Sequence, residues 1–169
     1  MGDGADHRLL ETAPMHKTGG VLVCLVAAVV LLATAAVASA RRLSASEWSI
    51  LHAMNQARTS RGLRPLRLNF RLERTARAHS EDMLDHQYFS HGAFATRVLQ
   101  SGAAGPDYGE NLAWGPDSAL WVVSQWLASP GHRANLLRPG FRRVGVGTAT
   151  GTFEGQAGAL VVTADFAGH

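Results

Sequence analysis

Residues 108–115 read YGENLAWG, and the rest of the chain can be read outward from them. Glu110 is the one charged residue in the stretch, set among Gly109, Leu112, Ala113 and Trp114. Two glycines and a tryptophan around a short apolar run predict a buried strand or a tight turn. A carboxylate in such a place is costly unless a partner pairs with it or it ligates an ion. What Glu110 faces is therefore the first question about function.

Upstream, the chain changes character near residue 40. Residues 19–40, GGVLVCLVAAVVLLATAAVASA, carry no charge over 22 positions, enough to cross a bilayer at about 20 residues per span. They end in Ala38-Ser39-Ala40, an A-x-A pattern of the kind a signal peptidase accepts. The A-x-A end fits a cleavable signal peptide, and the length fits an uncleaved signal anchor that would tie the protein to a membrane. Residues 1–18 are then a short cytoplasmic segment. Either reading delivers the remainder outside the cytoplasm, to the extracellular space or the cell envelope, with 41–46 as a linker and one domain over 47–167.

The sole cysteine, Cys24, lies inside the apolar stretch, so the exported domain has no disulfide. Residues 41–169 hold 14 arginines and no lysine against 10 acidic residues, a formal charge of +4. That balance favours anionic surfaces. It does not point to nucleic acid, because no recognition motif and no interleaving of aromatic and basic residues accompanies it.

The periodicity predicts helices first and a hairpin last. Ser44 or Ser46 caps a helix reaching about Ser60, and RGLRPLRLN is a connection broken by Gly62 and Pro65. Asn69 caps a helix over about 70–86. On a wheel, Leu72, Ala76, His79 and Met83 share its packing face, while Arg71, Arg74, Arg77, Glu81 and Asp85 lie opposite, Arg77 and Glu81 being an i,i+4 pair. Residues 94–102 make a short helix, 110–115 an extended piece, 117–129 a helix opened by Pro116-Asp117, and GHRANLL a further helical turn or two. FRRVGVGTAT and GALVVTADFAG read as a terminal β-hairpin. The class is α+β. Arg58, Arg61, Arg64, Arg67, Arg71, Arg74 and Arg77 recur every three or four residues and are read as a solvated face, with contact to an anionic surface as the alternative.

Histidines carry the chemistry. His79, on a packing face, reads as a hydrogen-bonded core histidine. His91, in YFSHG, sits in a loop where an imidazole can enter a cleft. His132, in SPGHRANLL, starts a helical turn, and a helix N-terminus disfavours the protonated ring. Two neutral imidazoles and a carboxylate are donors that suit zinc, although their scattered positions make no zinc motif. On the wheel of 117–128, Ala119, Leu120, Val122, Val123, Trp126 and Leu127 form the core side. Trp121 points away with Ser124 and Gln125, as a lone exposed ring or a wall of a cleft. No G-x-S-x-G and no cysteine offers a nucleophile.

FSH (89–91), GENLAWG (109–115), WLASPGHRANLL (126–137), GVG (145–147) and the closing ADF (164–166) together resemble the CAP superfamily of cysteine-rich secretory, antigen 5 and pathogenesis-related proteins, its SCP domain, in the cysteine-free bacterial branch. The resemblance covers about 47–167. It implies a three-layer α-β-α sandwich with a small antiparallel sheet and a central cleft holding two histidines and two acidic residues. The matching positions are His91, Glu110 and His132, and Trp121 stands where the second acid would be. It implies a divalent metal such as zinc between His91 and His132 in some members, and no role for His79. The function implied is an extracellular binding module for a lipid, sterol, glycan or envelope partner. The alternative is a metal-dependent hydrolase using the same cleft, with Glu110 acting on a metal-bound water.

Overall fold

The computed structural model describes residues 42–103 and 105–168. The expectations placed on residues 1–40, Cys24 included, fall outside that range. No helix among the described residues is long and apolar enough to cross a membrane.

The first helix, α1 (Ala45–Thr59), starts at a complete capping box. Ser44 Oγ accepts from the Glu47 amide, and Glu47 reaches back to the Ser44 amide. A two-residue strand, β1 (Arg67–Leu68), lies within the stretch expected to be only a connection. Helix α2 (Phe70–Asp85) begins at Asn69 as predicted, with Asn69 Oδ1 accepting from the Arg71 and Leu72 amides. Then follow α3 (Phe94–Gln100), β2 (Tyr108–Gly115), α4 (Ala119–Ala128), α5 (Pro130–Leu136), β3 (Arg143–Phe153) and β4 (Gln156–Ala167). Ser118 caps α4, so Pro116-Asp117 precede the helix instead of opening it.

The strands form one sheet in the order β1-β3-β4-β2, antiparallel except for the parallel β1–β3 contact. The β3–β4 hairpin turns at Glu154-Gly155, whose φ values of 49° and 78° are both left-handed, as a two-residue type I′ turn requires. Side chains alternate between the two faces of the sheet. Val144, Val146, Leu160, Val162, Ala164 and Phe166 pack with residues of α1, α4 and α5. Leu112, Ala159, Val161 and Ala167 pack on the other face with residues of α2 and α3. This is the α-β-α sandwich. Helix α2 approaches β3 so closely that a Cβ on Gly145 or Gly147 would fall about 2.0 or 1.9 Å from the α2 backbone.

Three expectations about side chains are corrected. Arg58 is not part of a solvated face: it is fully buried and donates to the carbonyls of Arg64, Leu136, Arg138 and Phe141. Arg77 turns from Glu81 to Glu47, with its Nε and Nη2 donating to the two carboxylate oxygens at 2.9 and 2.7 Å, and also pairs with Glu73. Both arginines leave the ladder because a buried acceptor set within reach outweighs hydration of one guanidinium. On α4, Leu120 is 71% exposed, whereas Trp121 is half-buried against the main core and covers Gly115. The helix runs over Ala119–Ala128 with Val122, Val123 and Trp126 buried, and Ala119 and Leu127 pack partly buried against the core.

Candidate functional site

Glu110 lies on the α2/α3 face of β2, near one edge of the sheet, and its side chain is 1% exposed. Its carboxylate is met by cations and donors. His91 Nδ1 stands 2.7 Å from Oε1 and Arg97 Nη2 stands 2.6 Å from Oε2. Arg97 also donates through Nη1 to the His91 carbonyl at 3.0 Å, so one guanidinium of α3 fixes both the acid and the loop that bears the imidazole. Because the carboxylate is the acceptor, the His91 proton sits on Nδ1. Nε2 is left facing away from Glu110, on a side chain 52% exposed.

A fourth member comes from β4. Asp165 lies directly opposite Glu110 in the β2–β4 register and is fully buried. No N–H or O–H donor reaches either of its carboxyl oxygens. Burial first, then the Glu110 charge, push its carboxyl well above the usual range, against the pull of Arg97. The uncharged form of Asp165 is thereby favoured beside the Glu110 carboxylate.

His132 enters from the first turn of α5. Asn111 Nδ2 donates to its carbonyl at 2.9 Å, and Asn135 Nδ2 donates to the Glu110 carbonyl at 3.1 Å and to Asn111 Oδ1 at 3.0 Å, which ties α5 to β2. Its imidazole is half-buried, and burial followed by the proximity of His91 holds its pKa below that of a free histidine. The ring is neutral at pH 7.

The structure thus brings His91 onto Glu110 and places His132 within electrostatic reach of His91. It does not bring Trp121 to this group. That ring covers Gly115, five residues along β2 from Glu110, or about 17 Å at strand rise. His79 is the buried core histidine expected, with Nε2 donating to the Ser90 carbonyl at 3.0 Å and so bracing the loop before His91. Arg97 and Asp165 went unread in the sequence. Asp165 carried the same signal as Glu110, a lone acid in the apolar run GALVVTADFAG, and Arg97 is the one charge of a seven-residue helix.

The donor set for a metal is short. Both Glu110 oxygens are engaged, and among the described residues no group of three or more His, Cys, Asp or Glu is placed to hold an ion. His91 and His132 alone fall below the three protein ligands of catalytic zinc, so no reaction step is derived through a metal.

The profile of the cysteine-rich secretory protein family, CAP, matches residues 51–166. The YkwD protein of Bacillus subtilis (strain 168) is 37% identical over 110 residues, which is 62% of this chain and 43% of the relative. The membrane protein YlbC of the same organism is 35% identical over 107 residues, 60% of this chain and 31% of the relative. The chain thus spans less than half the length of either. Among solved structures, an extracellular protein containing an SCP domain from Bacillus anthracis str. Ames superposes with a TM-score of 0.63 at 28% identity, covering 73% of this chain and 40% of that one. An outer surface protein of Borrelia burgdorferi superposes with a TM-score of 0.59 at 20% identity, over 71% and 90%. With the sandwich and a profile match over residues 51–166 in agreement, the chain belongs to the CAP family of cysteine-rich secretory proteins.

Proposed function

We propose that the protein is an extracellular binding module whose His91–Glu110–His132 centre holds a hydroxyl-bearing ligand, a lipid, sterol or glycan of the cell envelope. The observation that carries the reading is the closure of Glu110. His91 and Arg97 each take up one oxygen of its carboxylate, so it orients an imidazole and is not free to move a proton to or from a substrate. What remains accessible is the Nε2 edge of His91 and the neutral ring of His132. A neutral imidazole offers one ring nitrogen as an acceptor, which suits a ligand hydroxyl. The likeness to an extracellular SCP-domain protein and the uncharged stretch 19–40 support the location.

The test is direct binding of the protein to sterol-containing vesicles, phospholipid vesicles and soluble wall glycan fragments. Saturable binding to one of these should weaken at least about tenfold in His91→Gln and His132→Gln, the value of one well-made hydrogen bond. Binding to none of them would overturn the reading. Chelator-sensitive turnover of ester or peptide substrates would replace it with metal-assisted hydrolysis.

A further inference from the structure

The sheet has a second feature at its other edge. Arg64, Pro65, Arg67, Arg142 and Arg143 line a cavity of about 320 Å³. Glu110 is on β2 and Arg67 is on β1, the two outermost strands of the sheet, so the two places are separate.

This arrangement breaks a local rule. Arg67 and Arg143 are direct register partners in the parallel β1–β3 pair, and like charges in that relation destabilise a sheet. No carboxylate answers them: among the described residues, none of the four arginines is in an ion pair. Asp107, the acid beside the 138–142 segment, is engaged by Arg138 at 2.9 Å. A fifth positive charge stands behind the cavity, since buried Arg58 is close enough to Arg142 for the two charges to oppose each other.

The cavity is also held in shape. Arg58 donates to the carbonyls of Arg64 on one rim and of Arg138 and Phe141 on the other. Arg143 Nη2 donates to the Gly168 carbonyl at 2.7 Å, and Arg142 Nη1 to the carbonyls of Pro139 and Phe141. Two guanidiniums are thus anchored by carbonyls, which leave their charge uncancelled. The Arg143 Nε is shielded from solvent without an acceptor. Arg64 and Arg67 have no side-chain partner among the described residues, so their forks are free to close on a guest. Local conflicts of this kind concentrate at functional places.

We propose that this cavity is an anion site for a phosphate ester. Guanidinium forks match the paired oxygens of a phosphate, and several around one cavity neutralise a dianion that a single lysine would only attract. At about 320 Å³ the cavity is at the lower end of small-ligand sites, large enough for a phosphate with its attached alcohol.

The probes are inorganic phosphate and glycerol 3-phosphate, titrated into the full protein by calorimetry, with glycerol as the uncharged control. Saturable binding is expected for both anions and none for glycerol, weakening as salt is raised. Arg64→Gln/Arg67→Gln, which removes no hydrogen bond of the fold, should weaken binding by about tenfold or more, the value of one charge-assisted hydrogen bond. Arg142→Gln is the second variant, and His91→Gln should leave binding unchanged. Equal affinity in the double variant and the wild type, at equal thermal stability, would overturn the proposal. So would attachment to phosphatidylglycerol vesicles without saturable binding of glycerol 3-phosphate, which would mean diffuse charge attraction.

Discussion

Glu110 and Asp165 face each other across β2 and β4, two carboxyl groups in register and both buried, and burial followed by the Glu110 charge pushes the Asp165 carboxyl well above its usual range. Two like charges so placed cannot both persist. With the uncharged form of Asp165 favoured, Arg97 and His91 answer the Glu110 carboxylate. Asp165 is thus a positioning residue for the His91 centre.

Asp165→Asn should be at least as stable as the wild type near pH 7 and should change the pH profile. A carboxyl whose folded pKa is raised contributes fully below its unfolded value, about 3.9, and that contribution is lost as pH rises toward the folded value. Thermal melts across pH 4–8 should show the wild type losing stability with rising pH relative to the variant, by about 1.4 kcal/mol for each unit of pKa difference. Parallel profiles would mean that Asp165 is ionised.

Arg97→Ala should cost about 2–3 kcal/mol, because it leaves a buried carboxylate with only the hydrogen bond of a half-exposed imidazole. Arg97→Ala/Glu110→Gln should recover part of the loss, since the uncompensated charge is then gone. Chemical denaturation of Arg97→Ala, Glu110→Gln and the double variant, beside the wild type, gives the coupling directly.

His79 works in the opposite direction to Asp165. Burial first, then Arg97, hold its pKa below that of a free histidine, so it stays neutral in the fold. A group shifted down in this way loses its contribution as pH falls from about 6.5 toward the folded value. His79→Gln, whose amide can still donate to the Ser90 carbonyl, should fall less steeply than the wild type in melts between pH 7 and 5.

Gly147→Ala should abolish stable folding, at a cost above roughly 4 kcal/mol, because the added methyl meets the α2 backbone at Arg77 and Ala76. Gly131→Ala should be neutral or about 0.5 kcal/mol stabilising: nothing lies within 4 Å of its Cβ position, at the start of α5. Soluble yield and melting temperature separate the two.

The sequence made the helices legible where the local signals were complete. Asn69 and the spacing of Leu72, Ala76, His79 and Met83 placed α2 and its buried face almost to the residue. Glu110 was legible as an acid needing partners, and His91 was one of them. Arg97 and Asp165 were not, for different reasons. Asp165 meets Glu110 only through strand register across 55 residues, which no local pattern encodes. Arg97 looked like any solvated charge on a short helix. Arg58 and Arg77 were misread because a three-to-four-residue spacing fixes direction around a helix but not which carbonyls or carboxylates lie beyond it. β1 was missed because two residues beside Pro65 become a strand only when β3 is there to pair with them.

The place of β4 has a consequence for assembly. It is the last strand in the chain, yet it sits inside the sheet between β3 and β2. The five helices of the described residues all precede Gln156, but without β4 they lack a continuous sheet to rest on and Glu110 has no neighbour across the strand. A chain that stopped before Gln156 would keep most of its helical sequence and lose the molecule.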